Sequence, residues 1–162
     1  RRDPFAMLPF TGYNMADYFS HWLELGEDVA AKAQAAGNKL PKIFNVNWFR
    51  RDENGNFVWP GFGQNMRVLE WIINRCENRA NAVETPIGFV PTYDDLNWTG
   101  TDFSKADFDK VTSQSQAQWI KEIESHTELF NKLGERLPQA LKARQAELLA
   151  AVKSTEAENV NA

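Results

Sequence analysis

The sequence predicts a mixed α/β fold in which short strands and a hairpin are followed by helices. In residues 42–48, β-branched and aromatic side chains alternate with polar ones, which is typical of a strand. The pair Asn54-Gly55 is a strong signal for a hairpin turn. From residue 115 to residue 152, apolar side chains return at helical spacing. Together, these three observations indicate a mixed α+β arrangement.

The first predicted helix begins after Asn14, a residue type that often caps helices. Its apolar stripe consists of Met15, Tyr18, Phe19, Trp22 and Leu23. Gly26 suits a C-cap. The alanine-rich run 29–36 could instead extend the helix as far as the break predicted at Gly37-Asn38.

The predicted hairpin joins strand 42–48 to a returning strand at 57–59 through the turn at 53–56. Pro60 ends the returning strand, because proline has no N–H group to donate to a sheet. A helix with Asn65 at or near its cap is expected next.

That helix should extend to about Arg79, and a short strand bounded by prolines follows at 86–91. The polar run 94–109 predicts short helical turns at the surface. Ser115, followed by Gln118, resembles a capping box that opens a helix ending near Gly134.

A last helix is predicted after Pro138, because proline suits a helix's first turn. Its apolar stripe ends at Val152. We therefore expect a domain over residues 1–152 and a disordered tail over residues 153–162, which are polar and unpatterned.

Composition excludes several classes of function. The net charge of −4 argues against nucleic-acid binding, which relies on lysine and arginine. No apolar run approaches the length of a membrane span, so no membrane partner is expected. The one cysteine, Cys76, cannot form an internal disulfide, which favours a cytoplasmic location. Nothing beside Cys76 in the sequence marks it as a nucleophile, so a packing role is expected for its thiol. Because the chain opens at Arg1 without an initiator methionine, we expect a piece of a longer protein.

The segment 47–65 is the strongest candidate for a binding site. It contains five aromatic residues, namely Trp48, Phe49, Phe57, Trp59 and Phe62. Aromatic rings can stack on a flat heterocycle, and the carboxamide of Asn65 offers both a donor and an acceptor to the edge of a purine. The alternative is a surface hairpin whose aromatic residues pack on the core. Because Gln64 and Asn65 follow Gly61-Phe62-Gly63, the loop lacks the lysine of a phosphate-binding loop.

No catalytic or metal-binding set is evident in the sequence. His21 and His126 lack partners at metal-ligand spacing. The acidic pairs Asp94-Asp95 and Asp107/Asp109 are expected to be solvated charges in loops. The adjacent Arg50-Arg51 pair could reach a phosphate group but is expected to be exposed.

Four segments resemble the carboxy-terminal part of GTP-dependent phosphoenolpyruvate carboxykinase. They are RRDPFAM, PFTGYNMADYFSHWL, LPKIFNVNWFRRDENGNFVWPGFGQNMRVLEW and TPIGFVP. The resemblance is continuous from Arg1 to about Pro91 and weakens in the later helices. It implies that this chain is the carboxy-terminal part of that family's nucleotide-binding lobe.

The resemblance also implies roles for individual residues. Phe49, Phe57 and Phe62 match the three phenylalanines of the family's guanine slot. Asn65 matches the residue that reads the guanine edge, and Gly63 and Gln64 complete the run that contacts the nucleotide. The family's catalytic and metal-binding residues have no counterpart in this chain.

The activity implied is the reversible conversion of oxaloacetate and GTP to phosphoenolpyruvate, GDP and carbon dioxide, a step of gluconeogenesis. Manganese and magnesium ions serve as cofactors in the complete enzyme, which is expected to be monomeric and cytoplasmic. The missing amino-terminal part is then the main partner, and the 162-residue piece alone should be inactive. Two alternatives are a free-standing module that binds purines or single-stranded RNA, and a purely structural domain.

Overall fold

The computed structural model describes residues 6–36, 41–113 and 115–159, and it confirms a mixed fold of helices and a small antiparallel sheet. Two compact units are formed, one by residues 1–40 with 115–162 and the other by residues 41–114. The helices of the described residues are α1 (Met15–Ala35), α2 (Asn65–Cys76), α3 (Lys105–Thr112), α4 (Gln116–Leu133) and α5 (Gln139–Asn159). None of these helices is long and apolar enough to cross a membrane.

The first unit packs α1 with the end of α4 and the turn that follows it. Its buried core consists of Met15, Ala16, Phe19, Leu129, Leu133 and Leu137. The side chain of Asn14 joins these elements. Its Oδ1 accepts the N–H of Ala16 at 2.9 Å, and its Nδ2 donates to the carbonyl of Leu133 at 3.1 Å. The predicted helix start is therefore confirmed, and the capping amide also makes a long-range contact.

Helix α1 is longer than its apolar stripe suggested. The expectation that Gly26 ends the helix is wrong, because the helix continues to Ala35 through the alanine-rich run. Alanine is the best helix former, and one glycine inside a helix is destabilising by only about 1 kcal/mol. Trp22 and Leu23 belong to the predicted stripe but are exposed. The predicted break at residues 37–38 lies outside the described residues.

Helices α4 and α5 are joined by side-chain amides. Gln116 Nε2 donates to the carbonyl of Val152 at 3.0 Å, and Gln145 Nε2 donates to that of Ile123 at 2.8 Å. As predicted, α4 ends before Gly134, which takes the positive φ of 69° that glycine tolerates. Helix α5 continues to Asn159, into the segment predicted to be disordered, and residues 160–162 lie outside the described part.

Ser115 is confirmed as the N-cap of α4, since its Oγ accepts the N–H of Gln118 at 3.4 Å. The Ser115→Ala substitution leaves that N–H without its acceptor and is expected to lower the free energy of unfolding by about 1 kcal/mol. Chemical denaturation of both variants measures the change. Ser154→Ala is the control, because the Ser154 hydroxyl only donates to a carbonyl of its own helix, that of Ala151. Equal losses in the two variants would contradict the capping role.

The second unit is built on an aromatic core beneath α2. Trp71, Leu96 and Phe108 are buried, and partly buried side chains surround them, among them Phe44, Val68, Ile72, Tyr93, Trp98 and Phe103. The polar atoms of these large rings are satisfied. Trp71 Nε1 donates to the carbonyl of Asn81 at 3.0 Å, and the Tyr93 hydroxyl donates to that of Phe103 at 3.0 Å. The core therefore combines large apolar area with hydrogen bonds that fix the positions of the rings.

The sheet of the described residues is a two-stranded hairpin, β1 (Val83–Thr85) and β2 (Gly88–Val90), in the register Val83↔Val90. The strand predicted over residues 86–91 is shorter than expected, and its partner β1 was not anticipated. The strand predicted over residues 42–48 is wrong, because no described strand pairs with it. An alternating pattern indicates that the side chains suit the two faces of a strand. A strand also needs a partner that pairs with its backbone N–H and C=O groups.

Candidate functional site

The chain reverses direction around Gly55, as the sequence predicts, and this hairpin positions the candidate aromatic residues. The returning strand predicted at 57–59 is reduced to one antiparallel bridge, Arg51↔Phe57. The Asp52 carboxylate accepts the N–H groups of Asn54 and Asn56, each at 2.9 Å. These bonds favour the ionised carboxyl, and the pKa of Asp52 lies below its usual value, chiefly through the bond from Asn56.

Phe49 and Phe57 lie side by side on the two arms of this hairpin. Their ring centroids are 6.2 Å apart, and the planes make an angle of 63°. Phe49 is 74% exposed, Phe57 is 52% exposed and Phe62 is 89% exposed. Phe62 has no ring partner among the described residues. The structure thus brings two of the three candidate rings together and leaves all three open to solvent.

The tryptophans of the same segment pack against other aromatic rings of the second unit. Trp59 is only 6% exposed, and its ring contacts those of Trp48, Trp98 and Phe103 at centroid distances of 5.5, 6.3 and 6.0 Å. The five aromatic residues of the segment therefore divide into exposed phenylalanines and packed tryptophans. The sequence analysis placed Trp48 and Trp59 in the segment but did not anticipate Trp98 or Phe103.

Asn65 is the first residue of α2, and its side chain is tied to the tryptophan cluster. Its Oδ1 accepts the N–H of Trp59 at 2.7 Å. Gly61, with a φ of 114°, begins a 3-10 turn over Phe62–Gln64 that leads directly into the helix. The backbone N–H groups of Gln64 and Asn65 already donate to the carbonyls of Gly61 and Phe62. Those two N–H groups are therefore engaged within the turn and are not free for a ligand.

Arg67 holds the loop that precedes α2, a role that the sequence analysis missed. Its Nε donates to Gln64 Oε1 at 2.6 Å, and its Nη2 donates to the carbonyl of Thr99 at 2.9 Å. Its Nη1 also donates to the carbonyl of Asn97. A planar guanidinium with several donors can join two loops in this way. The signal in the sequence is the three-residue spacing of Gln64, just before the predicted helix, and Arg67, in its first turn.

The two arginines of the hairpin have separate roles. Arg50 donates from Nη1 to the carbonyls of Val111 and Ser113, at 2.7 and 2.6 Å, and so joins the hairpin to the end of α3. Arg51 lies over the ring of Phe57, with its guanidinium carbon 4.0 Å from the ring centroid, and donates to the carbonyl of Gly55 at 2.6 Å. Both guanidinium groups are already engaged within the unit.

The remaining candidates make local structural contacts. Asp107 is not a free loop charge, because its carboxylate accepts from the backbone and hydroxyl of Ser104 in a capping box that begins α3. These contacts lower the pKa of Asp107, with the Ser104 hydroxyl as the largest cause. The expectation that Cys76 is packed is wrong, since Cys76 is exposed. Within residues 6–36, 41–113 and 115–159, no three His, Cys, Asp or Glu side chains form a possible metal site.

Comparisons with known proteins give one consistent family. The family model for the phosphoenolpyruvate carboxykinase C-terminal P-loop domain matches residues 1–151 of this chain. A phosphoenolpyruvate carboxykinase [GTP] of Treponema pallidum is 50% identical over 157 residues, which is 96% of this chain and 24% of the relative. A protein of the same name from Paenarthrobacter aurescens is 50% identical over 143 residues, which is 88% of this chain and 22% of the relative.

A third relative with that name, from Renibacterium salmoninarum, is 49% identical over 141 residues. The chain spans about a quarter of the length of these relatives. The family model covers almost all of the chain, including every residue of the hairpin, the 3-10 turn and α2. On this evidence, the chain belongs to the family of the phosphoenolpyruvate carboxykinase C-terminal P-loop domain.

Proposed function

We propose that this chain is the guanine-binding region of a GTP-dependent phosphoenolpyruvate carboxykinase. The observation that carries the proposal is the exposure of three phenylalanines beside a helix that opens with an asparagine. Large apolar rings are normally buried, so an exposed group of them indicates a binding surface. The relatives' names include GTP, whose base is a flat purine.

In the proposed slot, the rings of Phe49, Phe57 and Phe62 stack on the base. Their exposure leaves ring faces available, apart from the face of Phe57 that Arg51 covers. Stacking on an aromatic side chain contributes about 1–3 kcal/mol per base. Asn65 forms hydrogen bonds with the edge of the guanine, and Gly63 and Gln64 complete the run of residues that contacts the nucleotide. The bond from Arg67 to Gln64 supports this assignment, because it holds the loop in one position before a nucleotide binds.

The reaction we propose for the complete enzyme converts oxaloacetate and GTP to phosphoenolpyruvate, GDP and carbon dioxide, as in gluconeogenesis. Loss of carbon dioxide gives an enolate, whose oxygen receives the γ-phosphoryl group of GTP. This region contributes by fixing the base, which restricts where the triphosphate can reach. Manganese and magnesium ions are bound, on this proposal, by residues outside the chain, and the 162-residue piece alone is inactive.

The main partner on this proposal is the remaining part of the same cytoplasmic, monomeric enzyme. The second unit has exposed apolar side chains on α2 and on its small sheet, including Met66, Ile73 and Phe89. The relatives are about four times as long as the matched region, so they contain enough additional chain to cover such a surface. The exposed stripe of α2 therefore fits an interface with that remaining part.

A titration of the full-length protein with GDP tests the proposal directly. We expect GDP to bind more tightly than ADP, and we expect a single-stranded RNA of mixed sequence not to bind, because the chain carries a net charge of −4. Isothermal titration calorimetry measures all three ligands. Absence of GDP binding would overturn the assignment of this region as a guanine site, and tight RNA binding would favour the nucleic-acid alternative.

The Phe57→Ala substitution should weaken every purine nucleotide to a similar extent. It removes a stacking face without touching the groups that distinguish guanine from adenine, so we expect the affinities for GDP and ADP each to fall about tenfold, or ~1.4 kcal/mol. The same calorimetric titrations measure this loss. Phe10→Ala is the matched control, since Phe10 is an exposed phenylalanine of the other unit. Selective loss of GDP binding with retained ADP binding would contradict a stacking role for Phe57.

A further inference from the structure

The hydrogen bond between Trp59 and Asn65 identifies which amide atom is which. An indole N–H is a donor only, so the Asn65 atom 2.7 Å from Trp59 Nε1 must be the carbonyl oxygen. The Asn65 Nδ2 group has no acceptor among the described residues. Its donors, together with the second lone pair of Oδ1, remain available to a ligand.

The orientation of this amide decides which purine it can pair with. Guanine presents an acceptor, O6, beside a donor, N1–H. Adenine presents a donor, its 6-amino group, beside an acceptor, N1. An asparagine that donates from Nδ2 to O6 and accepts at Oδ1 from N1–H suits guanine, whereas adenine needs the same amide turned over.

Turning the amide over would bring the Nδ2 hydrogens against the indole N–H. Two donors would then face each other, and the Trp59 N–H would lose its acceptor. Trp59 itself cannot move aside, because it is 6% exposed and packed among Trp48, Trp98 and Phe103. The packed ring therefore holds the amide in one of its two orientations.

We propose that Trp59 is a positioning residue that sets the preference for guanine over adenine by locking the Asn65 carboxamide. This inference rests on the proposed guanine site. The tryptophan does not touch the base and acts through the asparagine. A purely structural tryptophan would affect stability, and it would affect guanine and adenine nucleotides equally.

The experiment compares the full-length wild-type protein with Trp59→Phe in titrations with GDP, IDP and ADP. Phenylalanine retains an aromatic ring but has no N–H to donate. We expect the ratio of ADP to GDP dissociation constants to fall about tenfold, or ~1.4 kcal/mol. IDP should follow GDP, because inosine keeps both O6 and N1–H. Trp71→Phe is the matched control, since it also removes an indole N–H, but one that donates to the carbonyl of Asn81 and not to Asn65, so the ratio should be unchanged.

The failure of the inference and the failure of the proposed function are distinguishable. Wild-type protein that does not bind GDP overturns the proposed site. Wild-type protein that prefers GDP, with an unchanged ratio in folded Trp59→Phe, overturns only the role of Trp59. If Trp59→Phe does not fold, Trp59→His supplies a second variant. A neutral imidazole offers either a donor or an acceptor nitrogen, so it can pair with both orientations of the amide, and the ratio of ADP to GDP dissociation constants should fall. An unchanged ratio in folded Trp59→His would count against the lock.

Discussion

The Asn65→Ala substitution is expected to lower the affinity of the full-length protein for GDP by about 30- to 100-fold, or ~2–3 kcal/mol. It removes both amide groups that are proposed to pair with O6 and N1–H of guanine. Binding of oxaloacetate should change little, because the proposed contact is with the base. The Michaelis constants for GTP and oxaloacetate, together with a GDP titration, measure the two effects separately.

Loss of the Asn65 side chain also leaves the indole N–H of Trp59 without its acceptor, which could lower stability. Asn65→Asp controls for this effect. A carboxylate still accepts from the indole N–H, but it has no hydrogen for O6. We expect Asn65→Asp to keep its melting temperature and to bind GDP poorly. A wild-type Michaelis constant for GTP in Asn65→Ala would count heavily against the guanine site.

The Trp71→Ala substitution is expected to lower the free energy of unfolding of the second unit by about 3–5 kcal/mol. Trp71 is 4% exposed and lies in the core cluster with Leu96 and Phe108. Its ring also contacts that of Phe44 edge-on at 5.9 Å, and its N–H donates to the carbonyl of Asn81. Alanine would leave a large cavity and a carbonyl without its donor.

Urea denaturation of the 162-residue chain, followed by tryptophan fluorescence, measures this loss. Ile73→Ala is the matched control on the same helix, because Ile73 is exposed. In the isolated chain, its effect should stay within about 0.5 kcal/mol. A loss of similar size in both variants would contradict the assignment of Trp71 to the core and Ile73 to the surface.

Local features of the fold were predictable from sequence. Asn14 and Ser115 begin helices because a short polar side chain can accept a backbone N–H within the next turn. Gly134 follows α4 because glycine tolerates positive φ. Each of these helix boundaries depends on a few neighbouring residues. The sequence therefore contains the information directly.

Features that depend on distant partners were not predictable. The alternation in residues 42–48 predicted a strand, but pairing depends on a second strand that the described residues do not supply. The exposure of Cys76 depends on which face of α2 meets the core. The exposed phenylalanines could be proposed as a slot from their residue types. Nothing in the sequence showed that Trp59 takes the oxygen of Asn65, because that contact requires the tertiary arrangement.

The arginine above Phe57 has a consequence for the strength of the proposed nucleotide binding. A planar cation already lies 4.0 Å from the ring centroid, on one face of the side chain. A purine arriving at that face must displace it, so its net gain is a difference between two stacking energies. An exposed cation–π contact is worth about 0.5–1 kcal/mol, against about 1–3 kcal/mol for a stacked base. Exchanging the cation–π contact for a stacked purine therefore gives a modest net gain in free energy. Replacing Arg51 with a small neutral residue would remove the competing contact and increase that gain.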